Sequence, residues 1–169
     1  MYLFCYGTRP EMIKMFPLID AFDKNNIPYK TLFSGQHKDL FEQFKKYLPK
    51  PDFVMETMEK EQSLNKLSSK IFAQIENINL TDITHVIVQG DTTTAYILSM
   101  AAFNKKLKIV HLEAGLRTNN KYSPFPEEMN RKLISSIADV HLCPTEIAVN
   151  NLKKEGITEN VFLVGNTVV

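Results

Sequence analysis

The sequence predicts one α/β domain, a Rossmann-like parallel sheet with helices on both faces. Its 169 residues fit a single domain. Short apolar runs alternate with longer segments of helical periodicity, and most of the apolar runs end in a polar loop that contains glycine. Because alternating strands and helices are joined by right-handed crossovers, the strands are expected to be parallel and buried on both sides.

The first half of the chain supplies two predicted strands, residues 2–6 and 29–33, which are short apolar runs. Pro10 suits the first turn of the helix between them. Apolar residues at helical spacing predict a second helix over residues 40–48. Two prolines predict an irregular segment over residues 49–58.

The second half continues the alternation. Ser63 is a predicted cap for a helix that runs to about residue 77, and Thr145 for one that runs to residue 152. The other predicted helices are residues 95–103, which are rich in small and apolar residues, and residues 127–138, which carry an apolar stripe. The predicted strands of this half are residues 85–88, 108–112, 140–142 and 161–164.

Composition narrows the possible partners and the compartment. A net charge of +1 gives no electrostatic reason to expect nucleic acid or an anionic membrane as a partner. No apolar run reaches the length of a membrane span, and the apolar N-terminus lacks the basic segment of a signal peptide. Cys5 and Cys143 lie in apolar runs and are predicted to be buried thiols rather than a disulfide. We therefore expect a cytoplasmic protein.

Polar loops at the ends of the predicted strands point to a ligand cleft, because ligands of open parallel sheets bind at the carboxyl ends of the strands. Glycine lets the backbone approach a ligand, and the following helix N-termini offer N–H groups to anionic oxygens. These loops are Gly7-Thr8-Arg9, Gly35-Gln36-His37, Gly90-Asp91-Thr92, Glu113-Ala114-Gly115, Pro144-Thr145-Glu146 and Gly165-Asn166-Thr167.

The first of these loops is neither a dinucleotide fingerprint nor a Walker loop. Arg9 and Lys14 after it are either solvated residues, at the start and on the face of a helix, or ligands of an anionic substrate. Asp91 precedes three threonines, which suit a helix cap and also the binding of sugar hydroxyls or phosphate. For both loops a structural and a functional interpretation stay open.

Glu113 is the most informative single residue, because a carboxylate that ends a buried strand is costly unless it is paired. Glu113 either forms a salt bridge with Arg117 or Arg131, or acts as a general acid or base held beside a cation. Glu127 and Glu128 begin a helix, where the helix dipole alone explains them. If Asp91, Glu113 and Glu127 shared one cleft, their mutual repulsion would separate their pKa values and could provide both an acid and a base.

The four histidines show no spacing typical of metal ligands, so no metal site is predicted. His37 follows Gly35-Gln36 and is the histidine expected to face a ligand. His85, His111 and His141 lie in predicted strands and are interpreted as histidines of the core or sheet edge with satisfied hydrogen bonds.

Five segments together resemble the non-hydrolysing UDP-N-acetylglucosamine 2-epimerases, in the order and spacing of that family. They are Gly7-Thr8-Arg9-Pro10-Glu11-Met12-Ile13-Lys14, Gly90-Asp91-Thr92-Thr93-Thr94, His111-Leu112-Glu113-Ala114-Gly115-Leu116-Arg117-Thr118, Pro126-Glu127-Glu128-Met129-Asn130-Arg131 and Gly165-Asn166-Thr167. Arg9-Pro10-Glu11 resembles the non-hydrolysing rather than the hydrolysing branch.

The resemblance implies the N-terminal half of a glycosyltransferase-B-like fold, which has two Rossmann-like domains and an active site between them. Residues 1–169 would be the N-terminal domain, and the C-terminal UDP-binding domain would be absent. The implied reaction interconverts UDP-N-acetylglucosamine and UDP-N-acetylmannosamine for polysaccharide biosynthesis. It proceeds by elimination of UDP to a 2-acetamidoglucal and re-addition of UDP, with no added cofactor.

The resemblance also implies roles for single residues, and its catalytic positions are Lys14, Asp91, Glu113 and Glu127. Arg9 would contact the diphosphate, and Gln36 and His37 would lie where some members bind a second, activating UDP-sugar. Arg117 and Arg131 are expected among the substrate-binding residues.

The chain ends at Val169, where a further helix should begin, so we expect little or no activity from these residues alone. A homodimer is also expected from the resemblance. Two alternatives stay open, namely an epimerase that acts on another UDP-sugar and a module that binds UDP-sugar without catalysis. A glycosyltransferase of the same fold is disfavoured, because paired motifs around Glu113 and Glu127 suit proton transfer at C2 of the sugar.

Overall fold

A computed structural model describes residues 1–35 and 49–168. Its seven strands are β1 (Tyr2–Tyr6), β2 (Tyr29–Phe33), β3 (Phe53–Val54), β4 (His85–Gln89), β5 (Lys108–Leu112), β6 (Val140–Cys143) and β7 (Val161–Leu163). The helices of the described ranges are α1 (Arg9–Lys24), α2 (Leu64–Ile75), α3 (Thr93–Asn104), α4 (Glu127–Ile137) and α5 (Glu146–Lys154).

The strands form one parallel sheet in the order β3-β2-β1-β4-β5-β6-β7. This order confirms the predicted Rossmann-like architecture. It places β1 beside β4, although the two are far apart in the sequence, and β4 beside β5. The loops that follow these three strands therefore meet at one edge of the sheet.

Two apolar layers cover the sheet, one on each face. Alternate residues of β1 face opposite ways: Leu3 and Cys5 pack with the layer that contains α2 and α3, whereas Phe4 and Tyr6 pack against α1. These layers explain why the strands are apolar almost throughout rather than alternating.

Capping side chains mark the N-termini of most of the described helices. Thr8 and Glu11 form a capping box at α1, and Ser63, Thr92 and Thr145 each accept a backbone N–H at the start of a helix. The predicted caps Ser63 and Thr145 are thus confirmed. No described helix is long and apolar enough to cross a membrane.

The irregular segment predicted over residues 49–58 was wrong in part, because it contains β3. Two residues after a pair of prolines show no period that a sequence pattern could reveal, and their pairing with β2 alone makes them a strand. Cys5 and Cys143 are buried free thiols, as predicted. The helix predicted over residues 40–48 lies outside the described residues.

Candidate active site

An ion pair between Lys14 and Glu113 stands at the carboxyl edge of the sheet. The Lys14 Nζ atom lies 2.7 Å from Oε1 and 2.6 Å from Oε2 of Glu113. Both side chains are about a quarter exposed, so the pair is open to a ligand. The sequence interpretation offered Arg117 or Arg131 as the partner of Glu113, and that was wrong. Lys14 is 99 positions away along the chain, and the two side chains meet because α1 packs beside β1 and β4.

Glu113 directly follows β5 in a left-handed backbone conformation, with φ of 65°. A non-glycine residue in this region costs conformational energy and is found where the surrounding structure enforces it. Gly90, on the neighbouring loop, has φ of 70°, and a Cβ atom there would make only an ordinary contact of 3.7 Å with Oε2 of Glu113. The backbone at Glu113 therefore turns the carboxylate toward Lys14 and the loop after β4.

Asp91 lies in that loop and is held by α4. Arg131 donates to its carboxylate, and Asn130 donates to its backbone carbonyl oxygen at 2.9 Å. Burial raises the pKa of Asp91, Arg131 opposes the rise, and the charges of Glu113 and Glu127 add to it. Together these effects raise the pKa of Asp91 above its ordinary value. Asp91 thus lies close enough to both Glu113 and Glu127 for their charges to act on it.

Glu127 is the first residue of α4 and faces the start of α3 across a groove of about 450 Å³. Thr92, Thr93 and Thr94 line the same groove. Hydroxyl and carboxylate groups in a groove of this size suit a sugar. Arg9 is exposed in the first turn of α1, and the predicted ligand residues Gln36 and His37 lie outside the described residues.

Arg117 was expected to bind substrate, but the structure does not bring it into this cluster. Its guanidinium donates to both carboxylate oxygens of Glu155, at 2.8 and 2.7 Å, and to Ser135 at 3.1 Å. Only 1% of its side chain is exposed. Its hydrogen bonds lower the pKa of Glu155. Arg117 therefore fastens α4 to α5.

The two adjacent glutamates of α4 differ in burial and in their contacts. Glu128 is fully buried and accepts the backbone N–H groups of Thr118 and Asn119 at 3.0 and 2.9 Å. Burial alone would raise its pKa, but these donors outweigh burial and lower it. Glu128 thus fixes the loop after β5, whereas Glu127 lines the groove.

Glu11 is a buried residue of the site that the sequence interpretation did not single out. Its Oε2 atom accepts the backbone N–H groups of Gly7 and Thr8 at 2.8 and 2.7 Å, and its Oε1 atom accepts the Thr92 hydroxyl at 2.7 Å. Burial raises its pKa despite these donors. Glu11 joins the loop after β1 to the loop after β4. The capping box, with Thr8 three residues before Glu11, was the sequence signal that could have revealed it.

His111 only partly fits the prediction of a satisfied core histidine. Its Nε2 atom lies 2.7 Å from the carbonyl oxygen of Gly90, which steadies the loop that carries Asp91. Its Nδ1 atom is buried without a hydrogen-bond partner among the described residues, as is Nδ1 of His141. Burial lowers the pKa of His111 to about 4. The imidazole is therefore neutral at physiological pH.

We expect the neutral His111 to make the fold sensitive to mild acid. The unfolded chain binds a proton at His111 below about pH 6.5, whereas the folded protein binds it only near pH 4. The contribution of His111 to the free energy of unfolding should therefore fall by roughly 3 kcal/mol as the pH drops between these values. Urea unfolding at pH 7.0 and 4.5 measures the fall. His111→Gln keeps a donor for Gly90 and should show a smaller fall, whereas an equal fall would contradict this account.

Comparison with known proteins points to one family. The family model described as UDP-N-acetylglucosamine 2-epimerase matches residues 20–169. A UDP-N-acetylglucosamine 2-epimerase of Salmonella borreze is 43% identical over 99% of this chain, and one of Bacillus subtilis is 41% identical over 97%.

Solved structures give the same result. That of UDP-GlcNAc 2-epimerase from Neisseria meningitidis, bound to UDP-GlcNAc, matches 99% of this chain with a TM-score of 0.92 and 41% identity. That of the Methanocaldococcus jannaschii enzyme, in complex with UDP-GlcNAc and UDP, matches 98% with a TM-score of 0.88 and 37% identity.

The match covers almost all of this chain but less than half of each relative. The chain spans 45% of the Salmonella borreze protein and 46% of the Neisseria meningitidis chain. The family model nevertheless covers 150 of the 169 residues, from residue 20 to residue 169. The chain therefore belongs to the UDP-N-acetylglucosamine 2-epimerase family.

Proposed function

We propose that this chain is the sugar-binding half of an enzyme that interconverts UDP-N-acetylglucosamine and UDP-N-acetylmannosamine. The observation that carries the proposal is the set of three interacting carboxylates, Asp91, Glu113 and Glu127, with Lys14 paired to one of them. Epimerisation at C2 needs a group that removes a weakly acidic proton and another that returns one to the opposite face. A cluster of carboxylates in unlike environments can supply both.

In the proposed reaction a carboxylate takes the proton from C2. The electrons of the C–H bond form the C1–C2 double bond, and the C1–O bond breaks so that UDP leaves with its electron pair. The 2-acetamidoglucal then accepts UDP again at C1 and a proton at C2 on the opposite face. Glu113, which has Lys14 as its counter-ion, is the proposed base, and Asp91, whose pKa is raised, is the proposed acid.

The leaving diphosphate needs positive charge and N–H donors. Arg9 and the N-terminus of α1 lie at the same edge of the sheet as the carboxylates and are proposed to contact it. We further propose that a second Rossmann-like domain, as in a glycosyltransferase-B arrangement, supplies the uridine contacts and closes the site. Residues 1–169 would then be the N-terminal domain, and the whole protein a cytoplasmic homodimer.

A chimera tests the proposal, with residues 1–169 in place of the matching segment of the Bacillus subtilis relative. Incubation with UDP-N-acetylglucosamine in heavy water should place deuterium at C2 and form UDP-N-acetylmannosamine, both visible by NMR. The 169-residue chain alone should show little or no exchange, because it lacks the proposed uridine contacts. A chimera that binds the substrate without exchanging C2 would instead favour a binding module, and turnover by the isolated chain would contradict the need for a second domain.

A further inference from the structure

Gln89 is a buried polar residue at the end of β4, directly after three apolar residues. It is the last residue of β4, only 3% of it is exposed, and the three residues before it are apolar and buried. A buried carboxamide is costly unless it forms hydrogen bonds. Its Nε2 atom donates to Oε2 of Glu113. The amide is therefore directed at the carboxylate proposed as the base.

The two strands set this contact by their register. Gln89 is paired with Leu112, the residue before Glu113, so the two side chains arise from adjacent strand ends. Lys14 approaches the same carboxylate from α1. Oε2 of Glu113 thus receives both Lys14 and Gln89, whereas Oε1 receives only Lys14 among the described contacts. Oε1 is the oxygen with more capacity left for a substrate proton.

We propose that Gln89 is a positioning residue that holds Glu113 as a carboxylate with Oε2 occupied, so that Oε1 faces the C2 proton. The inference rests on the proposed function for the identity of that proton. A donor to a carboxylate favours the ionised form, because protonation of the acceptor weakens the hydrogen bond. Gln89 donates this hydrogen bond without adding a charge, so Lys14 remains the counter-ion of Glu113.

Other charged groups around Glu113 also influence its ionisation. Lys14 faces it from α1, and Asp91 faces it from the loop after β4. Glu127 and Arg131 of α4 act on Asp91. A variant that removes the Gln89 donor leaves all of these charges in place, so a change in the titration of Glu113 would report the hydrogen bond.

The test is a carbon-13 NMR titration of the Glu113 side-chain carboxyl in the 169-residue chain, assigned by the signal that Glu113→Gln removes. Gln89→Met keeps the length of the side chain and removes the donor. The titration midpoint should rise by about one pH unit, since the carboxylate loses one hydrogen bond. Gln74→Met is the matched control, because Gln74 bonds to the backbone of Glu56 and should leave the midpoint unchanged.

A second variant covers the case in which Gln89→Met does not fold. Gln89→Asn keeps the polar group and withdraws the donor by one methylene, and it should raise the midpoint as well. An unchanged midpoint in a folded variant would overturn the proposal. In the chimera, the acid limb of the kcat/KM profile should move to higher pH with Gln89→Met. The NMR titration requires no turnover, so failure of the proposed function and failure of this inference give different results.

Discussion

Glu113→Gln is expected to lower kcat of the chimera by roughly 10²- to 10⁴-fold, the usual contribution of a positioned general base. Glutamine keeps the size of the side chain but cannot accept the C2 proton, and it leaves Lys14 without its counter-ion. KM should change much less, because the carboxylate is proposed to act on the reacting carbon rather than to hold UDP. Steady-state formation of UDP-N-acetylmannosamine measures both constants.

Glu159→Gln is the matched control, since Glu159 is exposed and belongs to the segment between α5 and β7. It should leave kcat and the exchange of deuterium into C2 unchanged. If Glu113→Gln retained turnover near that of the parent, Glu113 would not be the base. If deuterium still entered C2 while UDP-N-acetylmannosamine no longer formed, Glu113 would instead deliver the proton in the second half of the reaction.

Gly115→Ala is expected to lower the free energy of unfolding by roughly 2–5 kcal/mol, because strain and overpacking act together. Gly115 has φ of 85°, which L side chains rarely adopt. A Cβ atom there would also lie 2.3 Å from the carbonyl oxygen of Ala148 in α5. Urea unfolding of the parent and the variant measures the loss.

Gly156→Ala separates the two causes. Gly156 has nearly the same φ, 81°, but a Cβ atom there would meet nothing within 4 Å. Its substitution should cost only the conformational part, about 1–2 kcal/mol. Equal losses at the two glycines would show that the contact with α5 does not matter. Because Gly115 lies two residues after Glu113, the strained variant should also disturb the carboxylate.

The loops around the site show how much of it the sequence pattern could predict. Each polar loop after β1, β4 and β5 is visible in the sequence as the end of an apolar run, and a parallel sheet places all such ends at one edge. That Glu113 pairs with Lys14 rather than Arg117 could not be predicted, since it depends on how α1 packs beside β1 and β4. Glu127 and Glu128 likewise look alike in the sequence, and only burial separates them.

Positioning residues were the least predictable part of the site. Glu11 and Gln89 act on loops 81 and 24 positions away, so no local pattern shows their partners. His111 has the position of an ordinary core residue, and only the structure shows that one of its nitrogens reaches the carbonyl of Gly90. Such contacts depend on strand register and on the exact direction of each side chain.

The sequence by itself determined the alternation of strands and helices, the caps Ser63 and Thr145, the buried thiols and the family. These features depend on local periodicity, on capping chemistry and on motif spacing, all of which are written along the chain. Only the tertiary structure decided which charges meet: Lys14 with Glu113, Arg131 with Asp91, and Arg117 with Glu155. The physical reason is that each pair joins elements distant in sequence, and their approach is fixed by the packing of helices on the sheet.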